Sequence, residues 1–304
     1  MPIVQQYMRL NEMFVINNLI LILAILIFSS CATLTKKSDM GYMEGTLEIN
    51  DGESKDIQLQ IERMLYKLKN DPKNWKLMNN LLVLYRLKGN HQTAIDYGRE
   101  ILHNDTKNYI ALSNLAMVYY DLNNYDYALY LLKKAQSIYD LDPSAHLNLG
   151  LVFLKRNEDQ LAEDEFLQAY KLKKDFYPAI RNLAYYYFEV RNHSKAIPFL
   201  EKVVIKENTM EHLNMLAMSY RFEERYEEAY KLYKKVLIMD SKNKIALYNS
   251  AIIELEYLSK PSLALEKFKL IKKELTEEEG KEYETQVNEY INRAMSFKMI
   301  EENS

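Results

Sequence analysis

The side chains able to do chemistry are few and scattered. The five histidines, His91, His103, His146, His193 and His212, form no HxxxH pair and none adjoins a cysteine, so the spacing that brings ligands to one metal is absent. Of seven glycines, Gly41, Gly45 and Gly52 share one polar stretch, and no Gly-rich loop exists to wrap a phosphate. Serines beside histidines, such as His193-Ser194, fall where turns and helix caps are expected. These positions predict no catalytic residue, no cofactor and no metal.

The one reactive group left is the thiol of Cys31, the only cysteine. It follows Ser29-Ser30 at the end of an unbroken apolar run of ten residues, Leu19 to Phe28. A bilayer-spanning helix needs roughly 20 such residues, and extension back to Phe14 crosses Asn17 and Asn18. Residues 1–30 therefore read as a signal peptide. Arg9 is the only cation before the run, beside Glu12, and a start at Met8 would shorten the leader. The Ser-Ser-Cys ending resembles the lipobox of bacterial lipoproteins, with Phe28 where an aliphatic is usual. That resemblance implies acylation of Cys31 and a place in the bacterial cell envelope, anchored by lipid to a membrane at its periplasmic or surface face. Residues 31–53 have no sustained apolar period and form a tether; a flexible coil of about 22 residues would reach roughly 25 Å.

Beyond the tether the elements are helical, because apolar residues recur at three- and four-residue spacing with no strand-like alternation. With 48% hydrophobic and 12% aromatic residues the chain has enough apolar surface to fold. A net charge of −3, with cations and acids interleaved, excludes the basic footprint of a nucleic-acid binder.

The helices repeat. Ala94, Ala128, Ala162, Ala196, Ala229 and Ala264 are separated by 34, 34, 34, 33 and 35 residues. Leu81, Leu115, Leu149, Leu183 and Leu216 precede their alanines by thirteen, each followed by a small residue except at Leu82. An aromatic follows in five repeats, at Tyr85, Tyr119, Phe153, Tyr187 and Tyr220. The third repeat shows the whole pattern in Leu149-Gly150, Phe153, Ala162, Phe166 and Ala169. It resembles the tetratricopeptide repeat, whose period is about 34 residues. The resemblance covers about residues 56–272. It implies an all-α, right-handed α-solenoid of about six helix-turn-helix repeats (75–275), with an N-terminal half repeat (54–74) and a C-terminal capping helix (276–304).

Helix pairs are expected at 75–102, 109–135, 143–170, 177–204, 210–237 and 244–271. Their turns fall around Gly89, Asn123-Asn124, Arg156-Asn157, Arg191-Asn192, Glu223-Glu224 and Ser259-Lys260. Pro72, Pro143 and Pro178 sit at junctions, where a missing N–H costs little. Ser194 as N-cap would place Pro198 in a first helical turn. Thr276 with Glu279 reads as a capping box opening the last helix.

The resemblance also implies that the first helix of each repeat lines a concave groove that binds partners. One row on that wall is Val83, Met117, Leu151, Tyr185, Met218 and Ile252; the next is Arg86, Tyr120, Leu154, Phe188, Arg221 and Leu255. A third holds Asn79, Ser113, Leu147, Arg181, Asn214 and Tyr248, with asparagines beside it at Asn80, Asn114, Asn148, Asn182 and Asn249. Those amides suit either an extended peptide's backbone or bonds between neighbouring helices. The Lys and Asn clamp of some family members is absent, since Asn79 and Val83 stand at the matching positions. The expected function is a lipid-anchored, non-catalytic scaffold holding a partner's peptide or helix in the groove, in assembly or maintenance of the envelope. The alternative is a subunit of a homo-oligomeric envelope complex.

Overall fold

A computed structural model describes residues 56–275 and 280–302, and among them every regular element is a helix. The signal peptide, Cys31 and the tether lie outside the described residues, as does the Thr276–Glu279 capping box. The helices are α1 (Ile57–Asn70), α2 (Trp75–Leu87), α3 (His91–Asn104), α4 (Tyr109–Asp121), α5 (Tyr125–Ile138), α6 (Pro143–Lys155), α7 (Asp159–Leu172), α8 (Tyr177–Glu189), α9 (His193–Lys206), α10 (Met210–Phe222), α11 (Tyr226–Met239), α12 (Lys244–Glu256), α13 (Pro261–Lys273) and α14 (Gly280–Glu302). The chain forms two compact units that divide between Leu183 and Ala184, within α8.

Five of the six repeats start on a side-chain cap. Asn74, Asn108 and Asn243 accept from the backbone N–H groups of Leu77, Ala111 and Ala246 at 3.0, 2.9 and 3.1 Å. These caps satisfy donors that a helix start otherwise leaves orphaned. Asn192, not Ser194, caps α9, accepting from Lys195 N at 3.2 Å. Pro198 therefore sits inside α9 rather than in its first turn. Its missing N–H costs the bond that would have run to Ser194, a carbonyl still near the helix start.

Within each repeat the chain reverses on one residue in the left-handed region: Gly89, Asn123, Asn157, Arg191, Glu224 and Ser259, with φ between 51 and 80°. Each stands five before its alanine. The next N–H returns to the aromatic position of the first helix, as Asn124 N does to Tyr119 O at 2.8 Å and Asn192 N to Tyr187 O at 2.8 Å. Such a C-terminal motif satisfies carbonyls that the helix end exposes.

All six register alanines are fully buried, and Gly150 of α6 lies against Phe166 of α7. In the unit ending at Leu183, α1 packs on α2, with Ile61 against Leu81 and Leu84. In the unit beginning at Ala184, α14 covers the last pair: Val287, Ile291 and Ala294 join Leu247, Ala251 and Phe268 in one core.

Candidate functional site

The inner rows differ between the two units in how much they leave open. In the first unit Met117, at 1% exposure, and Tyr120 and Leu151 are buried, whereas Leu154 and Arg181 are half-buried. Met117, Tyr120 and Leu151, expected to face a ligand, are thus packed within the wall. Gly150 lets the first and second helices of the third repeat approach closely, since a Cβ there would meet the Phe166 ring.

Polar partners tie the same wall together. Arg86 donates to both carboxylate oxygens of Asp121 at 2.6 and 3.1 Å, joining α2 to α4. Asn114 Nδ2 donates to Asn79 Oδ1 at 3.2 Å, and Asn148 Nδ2 to Ser113 Oγ at 3.2 Å. Asn182 is also buried. Of the two roles open to the asparagines, Asn114 and Asn148 perform the one between neighbouring helices.

His146 of α6, buried in this unit, is a feature that sequence spacing did not reveal. Its Nδ1 meets Glu165 Oε2 at 2.6 Å and its Nε2 meets the Asp140 carbonyl at 2.9 Å. Burial opposes a charge there, but the Glu165 and Asp140 bonds outweigh it and raise the imidazole pKa. The partner, Glu165, lies on a different helix nineteen residues on, outside any local motif.

The second unit leaves more of its wall open. Tyr185 is 8% exposed, and its hydroxyl donates to His212 Nε2 at 2.7 Å. The opposite ring nitrogen, Nδ1, lies 2.9 Å from the Glu207 carbonyl, an acceptor only, so it carries the proton. Tyr185 is thus a packed residue, against its expected groove role. Phe188, Met218 and Arg221 are half-buried.

Around them rings and a cation form a ladder. Phe188 meets His193 edge-on at 5.8 Å, His193 stacks on Phe222 at 4.4 Å, and the Arg221 guanidinium lies 5.0 Å from the Phe222 ring. Burial, then the charges of Arg221 and Arg191, lower the His193 pKa to about 4, so its ring is neutral at pH 7. The ladder is a run of packed rings, buried at His193 and partly open at Phe188 and Phe222, with the Arg221 cation at its end.

Deeper in this unit Glu254 is nearly inaccessible. Its Oε1 accepts from Lys267 Nζ at 2.6 Å and Tyr230 Oη at 2.7 Å, binding α12 to α13 and α11. Glu256 pairs with Arg293 at 2.9 Å, fastening α14. Among the described residues no group of three His, Cys, Asp or Glu could hold a metal, and no helix is long and apolar enough to cross a membrane.

Two tetratricopeptide-repeat family models match, over residues 113–178 and 213–245. No curated protein matches the chain. Among solved structures, the C-terminal part of a repeat-containing protein from Cytophaga hutchinsonii is similar at TM-score 0.55 and 19% identity, covering 72% of this chain and 88% of its own. YrrB, described as a tetratricopeptide protein with an unusual peptide-binding site, aligns at TM-score 0.53 and 19% identity, covering 66% and 97%. PilF of Pseudomonas aeruginosa aligns at TM-score 0.53 and 16% identity, covering 69% and 96%. The chain therefore carries tetratricopeptide repeats, and its described residues have the all-helical repeat fold of such proteins.

Proposed function

We propose that this protein is a membrane-anchored scaffold that holds a segment of a partner protein against Phe188, Phe222 and Arg221, which stand partly open around the buried His193 ring, with Met218 beside them. Proteins with these repeats generally mediate protein–protein interactions, and YrrB is described as binding a peptide. The carrying observation is the ladder itself: aromatic rings prepacked by stacking, ended by an arginine, are the residue types that dominate interface energies. Preordered rings lose little entropy on binding. The anchor would be the lipid on Cys31, and the envelope role follows from the lipobox resemblance.

A photo-crosslinking residue at Phe188 or Met218, in cells, tests the partner site. Adducts of one defined mass from both, and none from Gln160 on α7, are expected. Equal capture from all three positions would sink the reading. For the anchor, Cys31→Ala should abolish incorporation of labelled fatty acid and leave a larger precursor.

A homo-oligomer is the second reading, favoured by the end of α14, where Met295, Met299 and Ile300 are exposed. Sedimentation of the full chain in detergent, compared with Met299→Glu/Ile300→Glu, separates the two. A monomer in both cases would remove it.

A further inference from the structure

The two most exposed large apolar side chains among the described residues are Ile205, at 85%, and Ile238, at 84%. Both stand nine residues after their register alanines, Ala196 and Ala229, so they hold the same place in successive repeats. Lone exposed apolar residues are ordinary on a protein surface. Repetition in register, at the ends of α9 and α11, is not.

Lysines surround both. Lys202 and Lys206, one helical turn apart, border Ile205; Lys234 and Lys235 lie one turn before Ile238, and Met239 is exposed beside it. On α13 the equivalent place is Lys273, next to Lys272. All six lysines are exposed. Bonds between repeats set these helix ends side by side: Lys235 Nζ donates to Asn208 Oδ1 at 2.8 Å just past α9, and Lys242 Nζ to Glu274 Oε1 at 3.0 Å at the end of α13. Glu207, Asp240 and Glu274 occupy the following loops, and Glu274 is paired with Lys242. A helix C-terminus favours lysine through its dipole, which accounts for cations there but not for the isoleucines.

We infer that this edge, the C-terminal ends of α9, α11 and α13, docks on an anionic lipid membrane. Lysines at this spacing place ammonium groups among anionic headgroups while their stems lie along apolar surface. Two aliphatic side chains standing clear of the protein then enter the boundary between headgroups and acyl chains. An acidic protein would satisfy the lysines, but two projecting isoleucines need a yielding apolar layer. The contact is separate from the lipid on Cys31 and from the Phe188 ladder.

The test uses the full chain with Cys31→Ser, carrying an environment-sensitive dye on Ile205→Cys, on Ile238→Cys or, as a reference, on Gln160→Cys. Vesicles of phosphatidylcholine alone and of phosphatidylcholine with phosphatidylglycerol are added. The dye at 205 and 238 should shift to the blue only with the anionic vesicles, the reference dye should not, and raised salt should reverse the shift. Changing Lys202, Lys206, Lys234 and Lys235 to Gln should weaken the response about tenfold or more, since each lysine near such a surface contributes measurably. Because the leader is present in every sample, equal shifts in neutral vesicles, or an equal shift at 160, would overturn the inference. So would a shift produced by soluble polyglutamate and not by vesicles, which would assign the edge to an acidic protein.

Discussion

Gly98 of α3 lies directly against Leu82 of α2: a Cβ on Gly98 would stand 3.2 Å from Leu82 Cδ1 and 3.1 Å from Leu115 Cδ1. In the third repeat the bulk is reversed, with Gly150 on the first helix and Phe166 on the second, where an added Cβ would come within 2.5 Å of the ring. Leu82, the one large residue at the small position, is therefore matched by a glycine across the interface. The side of the interface that carries the bulk is exchanged.

The exchange is testable by a mutant cycle. Gly98→Phe alone should destabilise by about 1–3 kcal/mol through overpacking, and Leu82→Ala alone by about 2–5 kcal/mol through the cavity. The double variant places alanine opposite phenylalanine, the residue types that Ala251 and Phe268 bring to one core in the last repeat, and should be more stable than the sum of the single effects. Urea midpoints that simply add would show that the two sites do not share one space.

The left-handed turns give a prediction of opposite sign. Glu224 and Arg191 hold φ near 60° without the freedom of glycine, a conformation costing an L-residue roughly 1–2 kcal/mol. Glu224→Gly should raise stability, by less than that cost because glycine also loosens the unfolded chain. Thermal melting reads the change directly. A lower melting temperature would mean that the Glu224 side chain makes a contact worth more than the strain.

Tyr185 and Phe188 should separate stability from binding. Tyr185→Asp places a carboxylate in a buried site and removes the hydroxyl bonded to His212; a loss of about 3 kcal/mol or more is expected. Phe188→Asp, at a half-buried position, should melt nearly as the parent does yet lose crosslinks from Met218. If both variants melt alike, the distinction between packed wall and open ladder fails.

Two histidines should give stability a bell-shaped dependence on pH. His193 has a folded pKa lowered to about 4 by burial and by Arg221 and Arg191. The folded state binds fewer protons than the unfolded, so stability is full above the ordinary histidine pKa and falls as pH drops toward 4. His146 has a raised folded pKa, because its bonds to Glu165 and Asp140 outweigh burial. Its contribution is present below the ordinary value and lost as pH rises through the raised one. Amide exchange across pH should show residues 184–302 loosening first on the acid side and residues 56–183 on the alkaline side. His193→Phe, which keeps the stack on Phe222, should remove the histidine part of the acid limb; an unchanged limb would assign it to carboxylates.

What the sequence determined by itself is the repeat: the alanine register, the turns and the aromatic positions. These are local or nearest-neighbour requirements. A left-handed residue five before each alanine reverses the chain whether it is Gly89, Asn123 or Glu224, and the buried alanine marks where two helices touch. The cap of α9 was misread at Ser194, because Asn192 stands two residues earlier with the same capping chemistry.

Tertiary structure alone decided which of the inner-row residues are open. Met117 and Met218 share one register place, yet Met117 is fully buried and Met218 half-buried. Period reports the direction of a side chain from its own helix. It does not report how closely the neighbouring repeats approach. The same holds for His146 with Glu165, Glu254 with Lys267, and the lysine edge around Ile205 and Ile238: each depends on side chains brought together from different helices by packing that no single helix encodes.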